Sequence, residues 1–214
     1  MYVPLSRSNT LAVVELANTS ITEIPVGVSP YEVKILSAQK AYVSNWGGRQ
    51  PEAGDPTYTT SGSEIVIDPR TGIASSGSVS VIDLELQEQI KSIEVGLHPG
   101  AMVLSPDKSR LYIACANSDI ISVIDTEKDV VVESISVSME KGLPFGSAPN
   151  ALAISPDGTQ LFVANGTDNA VCVIQLDEKN KITGFIPTGW YPGALSLDKN
   201  AKFLFVANTK GIGS

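Results

Sequence analysis

The amino-acid sequence predicts an all-β protein built from repeated four-stranded antiparallel sheets, and three observations predict it. One segment recurs along the chain. ALAISPDGTQLFVANGTDNAVCVIQL, opening at Ala151, returns as AMVLSPDKSRLYIACANSDIISVIDT from Ala101, as ALSLDKNAKFLFVANTKG from Ala194 and, in degraded form, as EVKILSAQKAYVSNW from Glu32. A proline stands shortly ahead of every copy, at Pro30, Pro99, Pro149 and Pro192, and the shortest interval between them is about 43 residues. Within a copy, four short apolar runs alternate and are bounded by turn residues, the pattern of four strands rather than of helices.

A period of roughly 40–45 residues with four strands each is that of a propeller blade. Taking the elements in order, Met1-Tyr2-Val3 aligns with Leu161-Phe162-Val163, so the chain opens on the second strand of a blade. Residues 1–28 then form a partial blade, 29–97 a blade carrying an insertion, 98–147 and 148–190 two further blades, and 191–214 a half blade. This phasing gives seventeen repeat strands, about four blade equivalents, with Leu111, Val163 and Phe205 in equivalent second-strand positions. Pro156-Asp157-Gly158 supplies the fixed φ, the side-chain acceptor and the permissive residue of a tight turn between first and second strands, and Pro106-Asp107 repeats it. Asp83 and Asp125, each closing a VID motif, read as turn acceptors between third and fourth strands. Residues 84–95 also fit a helical period, but the same slot in the next unit, KDVVVESISVS, is β-branched, so a strand is expected there.

With 15 Lys and Arg against 23 Asp and Glu, the 214 residues carry a formal charge of -8, which argues against nucleic acid as a partner. No apolar run reaches the length of a membrane span, and MYVPLSRSNT has neither the charged nor the apolar region of a signal peptide. One His and two Cys provide little material for a zinc cluster, a His-rich metal site or a disulfide framework, and no metal or other cofactor is expected.

The strings LYIACAN, LFVANGTDNAVCVI and FLFVANTKG resemble the YVTN repeat of bacterial β-propellers. More narrowly, YVSNWGGRQPEAGDP, VIDPRTGIASSGSVSVIDL and PTGWYPGALSLD together are similar to the propeller portion of bacterial proteins that join such a propeller to a C-terminal phosphoesterase of the alkaline-phosphatase type. Four blades can close a ring of their own, whereas the resemblance implies a seven-blade ring of which these residues are a part. It also implies a periplasmic, cell-surface or secreted parent protein, and a phosphoesterase activity that belongs to a separate domain. Uncovered blade faces would then be available for self-association.

In a blade of this kind, the connections from second to third strand and from fourth to the next first strand emerge on one face. Both departures from the repeat fall there: residues 47–78, and the shorter 138–147. Loops on a rigid scaffold are where binding residues concentrate, so this face is the expected binding face, and deleting most of the long insertion is expected to leave folding largely intact. The residues flanking each strand-opening proline enter the first strand at its mouth. Tyr31, Trp46, His98, Asn150, Trp190 and Tyr191 are the expected ligand- or partner-binding residues, the aromatic ones suited to stacking on a flat or sugar-like ligand or anchoring a protein. The other units put Ser29, Ala148 and Tyr191 where His98 stands, so the scaffold does not require an imidazole. Glu52, Asp55, Glu64 and Asp68 in the insertion are oxygen donors of the calcium-binding type, but the D-x-[DN]-x-[DN]-G spacing is missing. No G-x-S-x-G elbow, Walker loop or HExxH motif occurs. The expected function is therefore a non-catalytic propeller that binds a small molecule, glycan or protein, with a propeller hydrolase or lactonase, or the accessory domain of a phosphoesterase, as the alternative.

Overall fold

A computed structural model describes residues 1–60, 62–140, 142 and 146–211. These hold nineteen strands and no helix. They fall into two compact units, Met1–Gly100 and Ala101–Ser214.

In the first unit, β1 (Tyr2–Leu5), β2 (Thr10–Val14) and β3 (Ile21–Pro25) form a three-stranded antiparallel sheet. A four-stranded sheet follows, made of β4 (Val28–Ile35), β5 (Lys40–Gly48), β8 (Ser78–Asp83) and β9 (Glu88–Glu94) in that order. Between β5 and β8 the long insertion folds its own hairpin, β6 (Thr57–Thr60) with β7 (Ser63–Val66). Gly62 sits in the hairpin turn at φ 88°, a value that favours glycine. Ile65 lies close over Gly47, where an added Cβ would come within 3.0 Å of it and 2.8 Å of Val28. Val66 is buried, so the insertion is a packed element rather than a loose loop.

The second unit holds two four-stranded sheets, β10 (Pro99–Leu104) to β13 (Val130–Ser136) and β14 (Pro149–Ile154) to β17 (Lys181–Pro187). The pair β18 (Pro192–Leu197) and β19 (Leu204–Asn208) completes it. The central strands of these sheets are β11 (Arg110–Cys115), β12 (Ile120–Asp125), β15 (Gln160–Asn165) and β16 (Ala170–Gln175). Four antiparallel strands in sequence order are the blade the repeat predicts, and the repeat strands number seventeen. The segment read as an alternative helix is strand β9. Leu111, Val163 and Phe205 all lie on second strands, but they do not share a register. Leu111 pairs with Ile124, whereas Val163 pairs with Cys172, so Leu111 is equivalent to Leu161, which faces Ile174. The equivalent residues are Leu111, Leu161 and Leu204, each at the same distance from the first-to-second strand turn, so the expected set was out of phase by two residues at Val163 and by one at Phe205.

Third-to-fourth strand pairing shifts register at the same point in three blades, at Val81/Ile82, Val123/Ile124 and Val173/Ile174. Such bulges bend the outer strand and raise its twist. Each core is the seam between two sheets of one unit. In the first, Leu11, Ile24 and Val26 pack with Ala41, Val43 and Ile82. In the second, Tyr112, Ile121, Val123 and Ile135 pack with Leu161, Val163, Cys172 and Ile174. In the four-stranded blades the second and third strands are largely buried, as in β11 and β12, whereas β9 and β13 bury only Ile93 and Ile135.

The turns carry the side-chain acceptors their sequences promised. Asp157 Oδ1 accepts from Ser155 Oγ, Thr159 N and Thr159 Oγ1 at 2.5, 3.0 and 2.9 Å, and Asp107 repeats the arrangement with Ser105 and Ser109. Asp83 and Asp125 each accept two backbone N–H groups after the third strand.

Candidate functional site

The residue ahead of each strand-opening proline has a left-handed backbone: Ser29 at φ 52°, His98 at 60°, Ala148 at 49° and Tyr191 at 56°. Proline disfavours the right-handed helical region for its predecessor, and no glycine is used here to ease the alternative. Three of these positions are tied down by a neighbouring turn. Ser29 N donates to Asn9 Oδ1 at 2.9 Å, Ala148 N to Asp119 Oδ1 at 3.0 Å, and Tyr191 N to Asn169 Oδ1 at 2.9 Å. Asn9, Asp119 and Asn169 themselves sit at positive φ in the turns between second and third strands, a conformation Asn and Asp tolerate well. In the fourth case the insertion occupies that turn and Gly77 holds the slot, its carbonyl accepting the Val95 N–H as those of Asn9, Asp119 and Asn169 accept from Val26, Val137 and Thr188.

In the first unit this backbone brings Tyr31, Trp46 and His98 together. Trp46 stacks on Tyr31 with ring centroids 5.9 Å apart and planes 29° apart, and its other neighbour is the His98 imidazole at 3.8 Å. Tyr31 is 54% and Trp46 44% exposed, so the stack is an open shelf and not a plug in the core. Its supports are Ser44 and Gly100. The buried Ser44 hydroxyl accepts from Glu32 N at 3.1 Å and donates to Gly100 O at 2.7 Å, tying the chain next to Tyr31 to Gly100 of the same unit. A Cβ at Gly100 would touch the Tyr31 ring at 3.7 Å, so the glycine lets the ring lie flat on backbone.

In the second unit Asn150, Trp190 and Tyr191 form another group. Gly166 makes room for it, since a Cβ there would lie 2.5 Å from Asn150 Nδ2 and 2.9 Å from Tyr191 Cζ. Asn150 donates to Ala148 O at 3.4 Å, and its buried Oδ1 has no hydrogen bond among the described residues. Trp190, 49% exposed, Tyr191 and Thr167 border a hollow of about 250 Å3. Lys210 completes its wall, with Nζ 5.0 Å from the Tyr191 centroid, within cation–π range. Lys210 stands inside the repeat string, but its slot holds Thr167 in the preceding copy, so the repeat marks no cation there.

Two of the insertion's four carboxylates, Asp55 and Asp68, are paired with arginines. Arg49 Nη1 and Nη2 donate to the two Asp55 oxygens at 2.7 and 3.0 Å, and this pair, with the Glu52 N–H, holds the Asp55 carboxyl below its ordinary value. Arg70 contacts Asp68 at 3.3 Å. Among the described residues no group of three or more His, Cys, Asp or Glu is placed to share a metal ion. Cys115 and Cys172 are buried and not joined in a disulfide, and burial pushes Cys172 up to about 12, so it is not a thiolate at neutral pH. Of the shorter insertion, residues 141 and 143–145 lie outside the described residues.

Four-stranded antiparallel sheets repeating in sequence order, with their distinctive residues in the connections, define a β-propeller protein. The family described as Lactonase, 7-bladed beta-propeller matches residues 84–211, more than half of the chain, and the chain belongs to it. No curated protein sequence matches. Among solved structures, one from Bacteroides uniformis described as a 6-phosphogluconolactonase is 14% identical with a TM-score of 0.58, covering 98% of this chain and 74% of its own. Hydrazine synthase of Kuenenia stuttgartiensis is 17% identical, TM-score 0.54, covering 97% and 76%. The WD40 β-propeller domain of Doa1 is 11% identical, TM-score 0.66, covering 95% and 56%. At these identities the similarity is one of fold.

Proposed function

We propose that this chain is a non-catalytic binding propeller that recognises a flat or sugar-like ligand on the shelf of Tyr31, Trp46 and His98. The observation that carries the reading is the open stack itself: Trp46 lies against both neighbours while about half of the Tyr31 and Trp46 surfaces face solvent. Aromatic faces left exposed on rigid backbone suit the apolar faces of sugar rings, and they are over-represented among binding hot spots. The Trp190 and Tyr191 group, with Lys210, serves as a second contact area for the same kind of ligand. Following the resemblance of residues 45–84, the propeller acts as the recognition part of a periplasmic, cell-surface or secreted bacterial protein that also bears a phosphoesterase domain.

Titration with a panel of neutral oligosaccharides, read by tryptophan fluorescence, tests the shelf. A quench that saturates in the native chain, and that Trp46→Ala lowers by about tenfold in affinity while the circular dichroism spectrum is unchanged, supports it. Undiminished binding by that variant refutes it. The family description favours a second reading, lactone hydrolysis with His98, the single histidine, as general base. Opening of gluconolactone by the intact chain, lost in His98→Ala, would establish that reading in place of the first.

A further inference from the structure

We infer that the cavity roofed by the long insertion is a second ligand site, separate from the aromatic shelf, built for a small polyhydroxylated amine of the amino-sugar class. Its volume is about 570 Å3, inside the span of about 300–1,000 Å3 usual for small-molecule pockets. The insertion leaves β5 at Gly48 and returns through Ser76 to β8. Gly48 is pressed so tightly on Ser76 that a Cβ would fall 2.4 Å from its carbonyl oxygen, which closes the roof onto the sheet.

The floor presents hydroxyl groups from buried backbone. Ser76 and Ser78 are 8% and 2% exposed, and both line the cavity. Ser76 Oγ accepts from Arg49 N and Ser78 Oγ from Asn45 Nδ2, each at 3.1 Å. No hydrogen bond among the described residues uses the proton of either hydroxyl, so each has a donor to offer an incoming oxygen.

The rim has the opposite character. Glu52 and Glu94 border the cavity with Gln89 and Ser92, and the side chains of these four residues make no hydrogen bond among the described residues. Arg49 is the one cation on the lining, and its guanidinium is committed to Asp55 and to Gln50 O. Two carboxylates over a hydroxyl floor repel an anion and give a neutral sugar only hydrogen bonds. An ammonium-bearing sugar satisfies both levels at once, with charge-assisted bonds at the rim.

Calorimetry on the intact chain at neutral pH tests this with glucosamine, its β-1,4-linked dimer, N-acetylglucosamine and glucose. Glucosamine or its dimer is expected to bind saturably, at least about tenfold more tightly than the acetylated or amine-free sugar. Preference for the dimer identifies a glycan end as the source, and preference for the monomer the free sugar. Glu52→Gln with Glu94→Gln is expected to remove most of that discrimination, and either single variant carries the same test if the double one fails to fold. Trp46→Ala, which disables the shelf, is expected to leave it intact, so the two sites fail separately. Equal affinity for all four sugars, no saturable heat at millimolar concentration, or unchanged discrimination in the Gln variants overturns the inference.

Discussion

Asp107 shows how much a single side chain does for a turn of this fold. Its carboxylate accepts from the Ser105 hydroxyl and from both the backbone and the hydroxyl of Ser109, and these bonds hold its pKa at about 2 against an ordinary 3.8. Asp157 is lowered by the same three contacts in the next blade, the Ser155 hydroxyl first. Because the folded value lies below the unfolded one, the carboxylate's contribution is complete above the ordinary value and is lost as pH falls through the folded one. Stability against urea is therefore expected to fall as pH drops from 3.8 towards about 2. Replacing both residues by Asn, which keeps a turn acceptor but does not titrate, is expected to make that slope shallower. A slope equal to that of the native chain would show that these turns do not contribute to acid lability.

At the scale of the element, the connection between β12 and the preceding strand β11 has a structural job beyond turning the chain. Asp119, 3% exposed, accepts from Gly146 N at 2.5 Å and from Ala148 N at 3.0 Å, anchoring the approach to β14. Asp119→Ala removes both bonds and strands two donors, so a loss of about 2–3 kcal/mol is expected in chemical unfolding. Asp119→Asn is expected to cost only about 1 kcal/mol, since Asn9 and Asn169 do the same work in the equivalent turns. Equal losses would mean that the charge, and not the geometry, is what matters. The hairpin β6–β7 is the element the repeat did not disclose. Its signal was present in the two short Thr- and Val-containing runs around Gly62, but a search for self-similarity treats whatever breaks the period as loop. With Val66 buried and Ile65 over Gly47, removing the insertion strips cover from Val28, so the simple expectation that it is dispensable does not survive its packing.

Over the whole molecule, burial rises from the fourth strand of a blade to its two central strands. Hydrogen exchange is expected to follow it, with β5, β8, β11, β12, β15 and β16 slowest and β9 and β13 fastest among the blade strands. Uniform protection across all four strands would show that the sheets open only as whole units. Fold class was legible because proline, the S-P-D turn and apolar alternation repeat together, and three independent local signals agreeing on one period leave little room for another architecture. The aromatic group around Trp46 was legible for the same reason, as strand phase predicts which residues flank a first strand. The serine-floored cavity was not, because Ser76 and Ser78 come to face Glu52 and Glu94 only after the insertion folds back, and no spacing records that return. Lys210 was hidden likewise: its reach over Tyr191 is a property of two connections, not of one string.

Ser29, His98, Ala148 and Tyr191 occupy one backbone slot with four unrelated side chains. In three of them the hydrogen bond that fixes the slot is made by the main chain, through the N–H that Asn9, Asp119 or Asn169 receives. The side chain at such a place takes no part in that hydrogen bond. A lineage is free to write a hydroxyl, an imidazole, a methyl or a phenol there without renegotiating the sheet behind it, and each blade brings one more such place to be written on. Under the binding role proposed above, a change of ligand takes one residue per blade while the cores stay as they are.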